Sequence, residues 1–257
     1  MMELTERKLK ILQAIISDFV ENAEPVGSRT LAYRLDMGLS PATIRNEMAD
    51  LEEMGYLYHP HTSAGRVPTD RAYRLYVNRL MDKYELDQEE KLRIRKELRA
   101  NIRELKKTVQ HASELLAEIT NLTSFATLEE DMRDISLFLQ GMTRIFAHPE
   151  YSTIEQARSF LEMLDEREPL TTALAERPDG LAVTIGEENP QRIVPGSAII
   201  TATYHVDGHL VGRLGVIGPT RMRYGEVSSV IEYMSDNLDK AFRMIEGGKD
   251  AGEHDED

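Results

Sequence analysis

The stretch SPATIRNEMADLEEMGYLYHPHTSAGRVPT, Ser40 to Thr69, opens on a strong helix start. Ser40 is a good N-cap, and Pro41 suits the first helical position, where its missing N–H costs nothing. Gly55 stops the helix after Met54. At 100° per residue Ile44, Met48 and Leu51 form an inward stripe, with Ala42, Arg45, Asn46 and Ala49 on the far side. Small residues there allow close approach to a surface, while an arginine and an asparagine can make paired hydrogen bonds to base edges. After Gly55, GYLYH and GRVP read as the strands of a hairpin with HPHTSA at its tip.

That tip admits three chemistries. A metal reading pairs His59 with His61, but these alternate across an extended strand with no third ligand nearby. A phosphate cradle over Thr62 to Gly65 lacks the following lysine and helix. A nucleic-acid wing accounts for the whole composition: Gly65 permits the turn, Pro60 and Pro68 stiffen its shoulders, and Thr62, Ser63, Arg66 and the histidines can reach a backbone or minor groove.

Upstream, Thr5 caps a helix carrying Leu9, Leu12, Ile15, Ile16 and Phe19 at helical spacing, residues 22–27 end it, and Ser28 starts a short helix with Leu31, Ala32 and Leu35 inward. Helix, helix, turn, helix and hairpin spell a winged helix-turn-helix. A purely structural three-helix bundle with solvated Arg45 and Asn46 has the same pattern, and both readings stay open at this point. Glu47, Asp50, Glu52 and Glu53 weigh against deep burial of the third helix in a groove, although they mostly follow its first turn.

From Thr69 a further helix uses Tyr73, Tyr76, Val77 and Leu80, with Arg71, Arg74 and Arg79 either reaching phosphates or solubilising it. A joint at 84–86 leads into a long charged helix with Leu98, Ile102, Leu105, Val109, Ala112, Leu116 and Ile119. That heptad spacing fits a seam between subunits or packing on its own domain, and the former is favoured. Residues 132–146, 153–164 and 169–177 read as helices. LAVTI from Leu181 reads as a strand, AIITATYHV and HLVGRLGVIG as a hairpin joined at Asp207-Gly208, and Val230 to Phe242 as a last amphipathic helix. The expected fold class is α+β multidomain: a winged helix-turn-helix over 1–83, a long linking helix over 84–122, an α+β region over 123–246, and an acidic disordered tail over 247–257.

The chain has 257 residues, no cysteine and a formal charge of −14. Disulfides, thiolate nucleophiles and Cys-type metal sites are excluded. No run is long and apolar enough to span a bilayer, MMELTERKLK lacks the apolar core of a signal peptide, and a cytoplasmic location is expected. The acidity is uneven: residues 1–83 hold 11 Lys+Arg against 12 Asp+Glu, whereas 123–257 hold 12 against 25. Nucleic acid therefore remains an admissible partner for the N-terminal part, with the acidic half expected to face away from it. No GxxxxGK, GxSxG or HExxH is present, His205 and His209 lack a third ligand, and Gly212, Gly215 and Gly218 do not follow nucleotide-binding spacing but mark bulges or close packing. No enzyme, cofactor or metal is expected.

PVGSRTLAYRLDMGLSPATIRNEMADLEEMGYLYHPHTSAGRVPTDRAYRLYV, from Pro25, closely resembles the DNA-binding region of the HrcA family of bacterial heat-inducible transcription repressors, and IGEENP from Ile185 and GRLGVIGPTRMRY from Gly212 are similar to its C-terminal signatures. The resemblance implies a GAF-like C-terminal domain and a homodimer on an inverted-repeat DNA operator upstream of chaperone operons. It also implies inactivation by heat and maintenance by the GroE chaperonin. One departure stands out. NLTSFATLEED runs almost directly into MRDISLFLQGM where the family places further strands and an inserted dimerisation domain. A shortened member is therefore expected, with an incomplete GAF-like sheet and a heptad seam that carries more of the dimer contact. The candidate DNA-binding residues are Ser28, Arg29, Ser40, Ala42, Thr43, Arg45, Asn46, His59, His61, Thr62, Ser63 and Arg66, with Arg45 and Asn46 reading bases and Ser28 and Arg29 holding phosphate. A regulator whose GAF-like domain binds a small molecule is the competing reading.

Overall fold

The structure, a computed structural model, describes the chain except residues 1–3, 36–37, 62–63, 101–104, 132–133, 166–170, 173, 175–176, 190–195, 207–208 and 251–257. It divides into two compact units, Met1–Asp82 with Thr220–Gly225, and Lys83–Pro219 with Glu226–Asp257. None of its described helices is long and apolar enough to cross a membrane.

The first unit begins with α1 (Glu6–Asn22), capped by Thr5, whose hydroxyl accepts from the Lys8 N–H. Its apolar stripe, Leu9, Ile11, Leu12, Ile15 and Ile16, is buried against α2 (Ser28–Arg34) and α3 (Pro41–Glu53). Ser40 caps α3 by accepting from the Thr43 N–H at 3.1 Å, Pro41 occupies the first turn, and Gly55 follows the helix at φ +77°, a left-handed conformation that costs glycine nothing. Ile44, Met48 and Leu51 point inward as the spacing predicts.

The wing pairs β1 (Leu57–Tyr58) with β2 (Val67–Pro68). A third segment joins it: Val26 and Arg66 exchange two backbone hydrogen bonds of 2.9 Å. Gly65 is thus explained differently from the sequence reading. Its φ is not positive; instead a Cβ there would lie 2.4 Å from the carbonyl carbon and oxygen of Val26, so glycine is required by close approach of two backbones rather than by a turn. α4 (Asp70–Leu75), capped by Thr69, runs into a π-helical turn over Tyr76–Leu80. Thr220–Gly225 completes this unit: Arg221 donates to the Val20 carbonyl and the Tyr224 ring packs on Tyr73.

The second unit is built on one antiparallel sheet of five strands in the order β4-β3-β7-β6-β5, from β3 (Thr123–Asp131), β4 (Asp134–Gln140), β5 (Ala182–Ile185), β6 (Ser197–Val206) and β7 (His209–Pro219). Val206 faces His209, so a two-residue connection at 207–208 joins β6 to β7. Phe125, Ile199 and Ile217 turn to one face and form a core with Phe160 and Leu164 of α7 (Ile154–Asp165). The other face meets α6 (Leu105–Thr120), where Ser124 donates to the Ser113 carbonyl, and α8 (Tyr224–Asp250), where Phe242 packs on Tyr204. Gly212 and Gly215 are close-packing glycines: a Cβ at Gly212 would meet the Thr127 carbonyl oxygen at 2.0 Å, and one at Gly215 the Ile200 carbonyl oxygen at 2.3 Å.

Five expectations differ from the structure. Residues 132–146 are not a helix. DISLFLQ forms β4, with Leu137 and Leu139 alternating onto the core face, and a 3-10 segment follows over Met142–Ala147. NLTSFATLEED and the run after it are accordingly the β3–β4 hairpin of a continuous sheet, not a point where the sheet is interrupted. The single long helix over 84–122 is two, α5 (Gln88–Ala100) and α6, bridged by Arg93 to Glu118 at 2.6 Å. Its heptad positions are consumed within the subunit. Leu98, Val109, Ala112 and Leu116 are buried, and small Ala112 and Ser113 let α6 lie close to the sheet, so no open coiled-coil seam remains among the described residues; Ile102 lies outside them. Finally, the last helix continues to Asp250, past the expected start of a disordered tail at Gly247. Residues 169–177, expected as a helix, lie mostly outside the described residues.

Candidate nucleic-acid interface

The outer face of α3 presents Ala42, Arg45, Asn46 and Ala49 to solvent, with Thr43 half-buried at its N-terminal end. Ser40 and Thr43 are tied to each other, hydroxyl to hydroxyl at 3.0 Å, which fixes the first turn. Neither the Arg45 nor the Asn46 side chain makes a hydrogen bond or ion pair among the described residues, and both are exposed to a partner. Arg29 is exposed in the same way. Arg29, Arg45 and Arg66 line a cleft of about 230 Å³ between the start of α2, α3 and the wing, floored by Val26, Ser28 and Met48. Ser28, with only 8% of its surface exposed, belongs to the floor rather than to an outward-reaching contact.

The acids of α3 are largely neutralised inside the unit. Glu47 is buried against α1, where Arg7 and Lys8 pair with it, and Lys8 also reaches Asp50 at 2.9 Å. Those hydrogen bonds to Glu47 and Asp50 hold the Lys8 ammonium above its ordinary pKa, against the opposing effect of desolvation. Glu52 holds two wing side chains at once, the His59 ring through Nδ1 at 2.8 Å and the Arg66 guanidinium through Nη2 at 2.9 Å. Glu53 alone of these four points into solvent without such a bond.

This pairing changes where the wing residues sit. His59 and Arg66 turn back onto Glu52 and brace the hairpin against α3, and the Arg66 side chain is only 13% exposed. His61 is exposed at the tip. Thr62 and Ser63 lie outside the described residues. Of the arginines after the wing, Arg71 is committed to structure: it lies 4.7 Å over the Tyr56 ring and donates to the Met54 carbonyl. Sequence reasoning missed Glu52 as the clamp and Val26 as the third wing segment. An acid at a helix end paired with side chains seven and fourteen residues on carries no periodic signal, and one isolated bridge leaves none either.

Among the described residues no group of three His, Cys, Asp or Glu side chains could hold a metal ion. His205 instead lies 3.4 Å from Asp179, whose carboxyl is held below its ordinary pKa chiefly by the Thr203 hydroxyl.

Comparison with known proteins agrees with this architecture. Residues 3–81 match the family model described as winged helix-turn-helix transcription repressor, HrcA DNA-binding, and residues 71–227 match the HrcA protein C-terminal domain. A protein of Clostridioides difficile named heat-inducible transcription repressor HrcA is 35% identical, the match covering 91% of this chain and 98% of the relative. One of the same name from Desulfitobacterium hafniense is 31% identical, covering 92% and 97%. Among solved structures, a protein described only as hypothetical shares the fold with a TM-score of 0.75 at 21% identity, over 95% of this chain and 100% of its own. Winged helix, five-stranded sheet and both family matches lead to one assignment: the chain belongs to the HrcA family of heat-inducible transcription repressors.

Proposed function

We propose that this protein is a sequence-specific DNA-binding repressor of heat-shock chaperone operons. The observation that carries the reading is the outer face of α3, where Arg45 and Asn46 stand unpaired beside small Ala42 and Ala49 while the acids of the same helix are mostly engaged elsewhere. In this reading α3 enters the major groove, Arg45 and Asn46 contact base edges, and Arg29 at the start of α2 holds a flanking phosphate. His61 with Thr62 and Ser63 forms the part of the wing that reaches DNA; His59 and Arg66 position it.

One module of this size makes too few contacts for useful discrimination, so a homodimer on an inverted repeat is the expected binding unit. Family membership supports loss of activity on heating and maintenance of the active fold by the GroE chaperonin, both acting in the cytoplasm. The test is a gel shift with an inverted-repeat duplex of the family, before and after heating and with or without chaperonin. Retarded complex on the repeat, lost on heating and recovered with chaperonin, is expected. Equal affinity for a scrambled duplex of the same length would sink the repressor reading.

A further inference from the structure

We propose that Arg177 and Arg213 form a binding site for a small oxyanion on the face of the sheet opposite α6. Arg213 lies on β7 beside Thr203 of β6 and Thr127 of β3 in the pairing register, and Thr201 is the next residue of β6 on that same face. Arg177 approaches from the segment before β5 and reaches Thr184 and Asn189. Both residues are buried, with 7% and 4% of their surface exposed.

Among the described residues their hydrogen-bond partners are all neutral. Arg177 donates to the Thr184 hydroxyl at 2.6 Å and the Asn189 side-chain oxygen at 3.2 Å; Arg213 donates to the carbonyls of Arg177 at 2.7 Å and Pro178 at 2.9 Å. Neither has a carboxylate within ion-pair distance among the described residues. Asp179 is the nearest acid on that side, but it is engaged by Thr203, the Gly180 N–H and His205. Glu129 contributes only at longer range.

Three buried polar atoms are left without a hydrogen-bond partner among the described residues: Nε of Arg177, Nε of Arg213 and the Thr201 hydroxyl. Two adjacent buried cations with unused donors are poorly stable unless an anion joins them. The strain is visible in Arg177, whose pKa is brought down to about 10 by burial and by the charge of Arg213. Guanidinium forks match the planar or tetrahedral oxygens of carboxylates and phosphates, which defines the ligand class. The site is independent of the DNA reading and would add a chemical input to the same chain.

The full-length protein is melted in sodium phosphate, in sodium malonate and in sodium chloride at matched ionic strength. At about ten times its Kd, phosphate or malonate should raise Tm by about 4 °C over chloride; which of the two acts assigns phosphate or carboxylate chemistry. Equal Tm in all three salts overturns the proposal. Arg177→Lys keeps the charge but loses the fork and should raise the half-saturating concentration about tenfold. Thr201→Val, nearly isosteric and safer for folding, should raise it about threefold. Unchanged half-saturation in both variants places the anion elsewhere and overturns the assignment. Arg45→Ala separates the two readings, since it should lose DNA and keep the anion response.

Discussion

Replacing Gly65 by alanine builds a Cβ 2.4 Å from the carbonyl carbon and oxygen of Val26 and 2.7 Å from the Pro25 oxygen. These are backbone atoms, so no rotamer change relieves the clash and the two strands must separate. Separation breaks both 2.9 Å hydrogen bonds between Val26 and Arg66, worth about 1 kcal/mol each, and adds overpacking strain of about 1–3 kcal/mol. The combined loss is about 3–5 kcal/mol, which in a unit of this size lowers Tm by about 15–30 °C. Scanning calorimetry measures it, and Gly38→Ala is the control. Gly38, unlike Gly65, has a positive φ, +62°, and among the described residues no heavy atom lies within 4 Å of its Cβ position, so only the left-handed conformation is penalised, by about 1 kcal/mol. If Gly65→Ala melts within 4 °C of wild type, or no lower than Gly38→Ala, the backbone-contact explanation of the wing is wrong.

On DNA, Arg45→Ala and Asn46→Ala should each cost about 1–3 kcal/mol on the inverted repeat while leaving Tm unchanged, as titrated by fluorescence anisotropy. Glu47→Gln leaves Arg7 without its buried partner and Lys8 with Asp50 alone, and should destabilise the N-terminal unit by about 2 kcal/mol in urea titration. The same cluster sets an alkaline limit. Because Lys8 holds its proton more tightly folded than unfolded, its contribution is complete below its unfolded pKa and is lost as pH rises through the folded value, which lies above 10.5. Calorimetry at pH 9 and pH 11 should show a fall in Tm that Lys8→Met lacks. Leu116→Ala should cost about 2–5 kcal/mol of folding stability without changing the oligomeric mass in sedimentation, since Leu116 is fully buried within its own subunit. A stable monomer from that variant would restore the seam between subunits.

The DNA-binding half was legible because its signals are local. Ser40-Pro41 and Gly55 bracket α3 through backbone chemistry that needs no distant partner, and the Ile44, Met48, Leu51 stripe follows from period alone. The heptad reading failed for a physical reason: an apolar stripe repeated every 3.5 residues fits a partner helix and a sheet equally, and only the presence of β3 and β7 beneath α6 decides between them. β4 was misread because Ile135, Leu137, Phe138 and Leu139 satisfy both helical and strand spacing in so short a run. The positions of His59 and Arg66 were illegible because they depend on Glu52, which sequence reading had counted only as a charge opposing DNA.

The pairing of Glu52 also changes what the net charge implies for DNA binding. A formal −14, and four acids on the very helix meant for the groove, count against DNA only if those acids are free to repel phosphate. Glu47, Asp50 and Glu52 instead each meet a cation of the same unit at hydrogen-bond distance, so their charges are screened at close range; Glu47 and Asp50 fasten α3 to α1, and Glu52 fastens it to the wing. What the helix offers outward is the unpaired Arg45 and the neutral Asn46, with Arg29 beside them. Removing the clamp tests whether this distribution matters to binding as well as to folding. Glu52→Gln keeps a hydrogen-bond acceptor for His59 and Arg66 but frees a positive charge at the wing. Nonspecific affinity for duplex DNA should then rise, with a steeper salt dependence, while discrimination between the repeat and a scrambled duplex falls because the wing is no longer held in register. Unchanged discrimination in Glu52→Gln would mean that the wing contributes charge to the complex and no positioning.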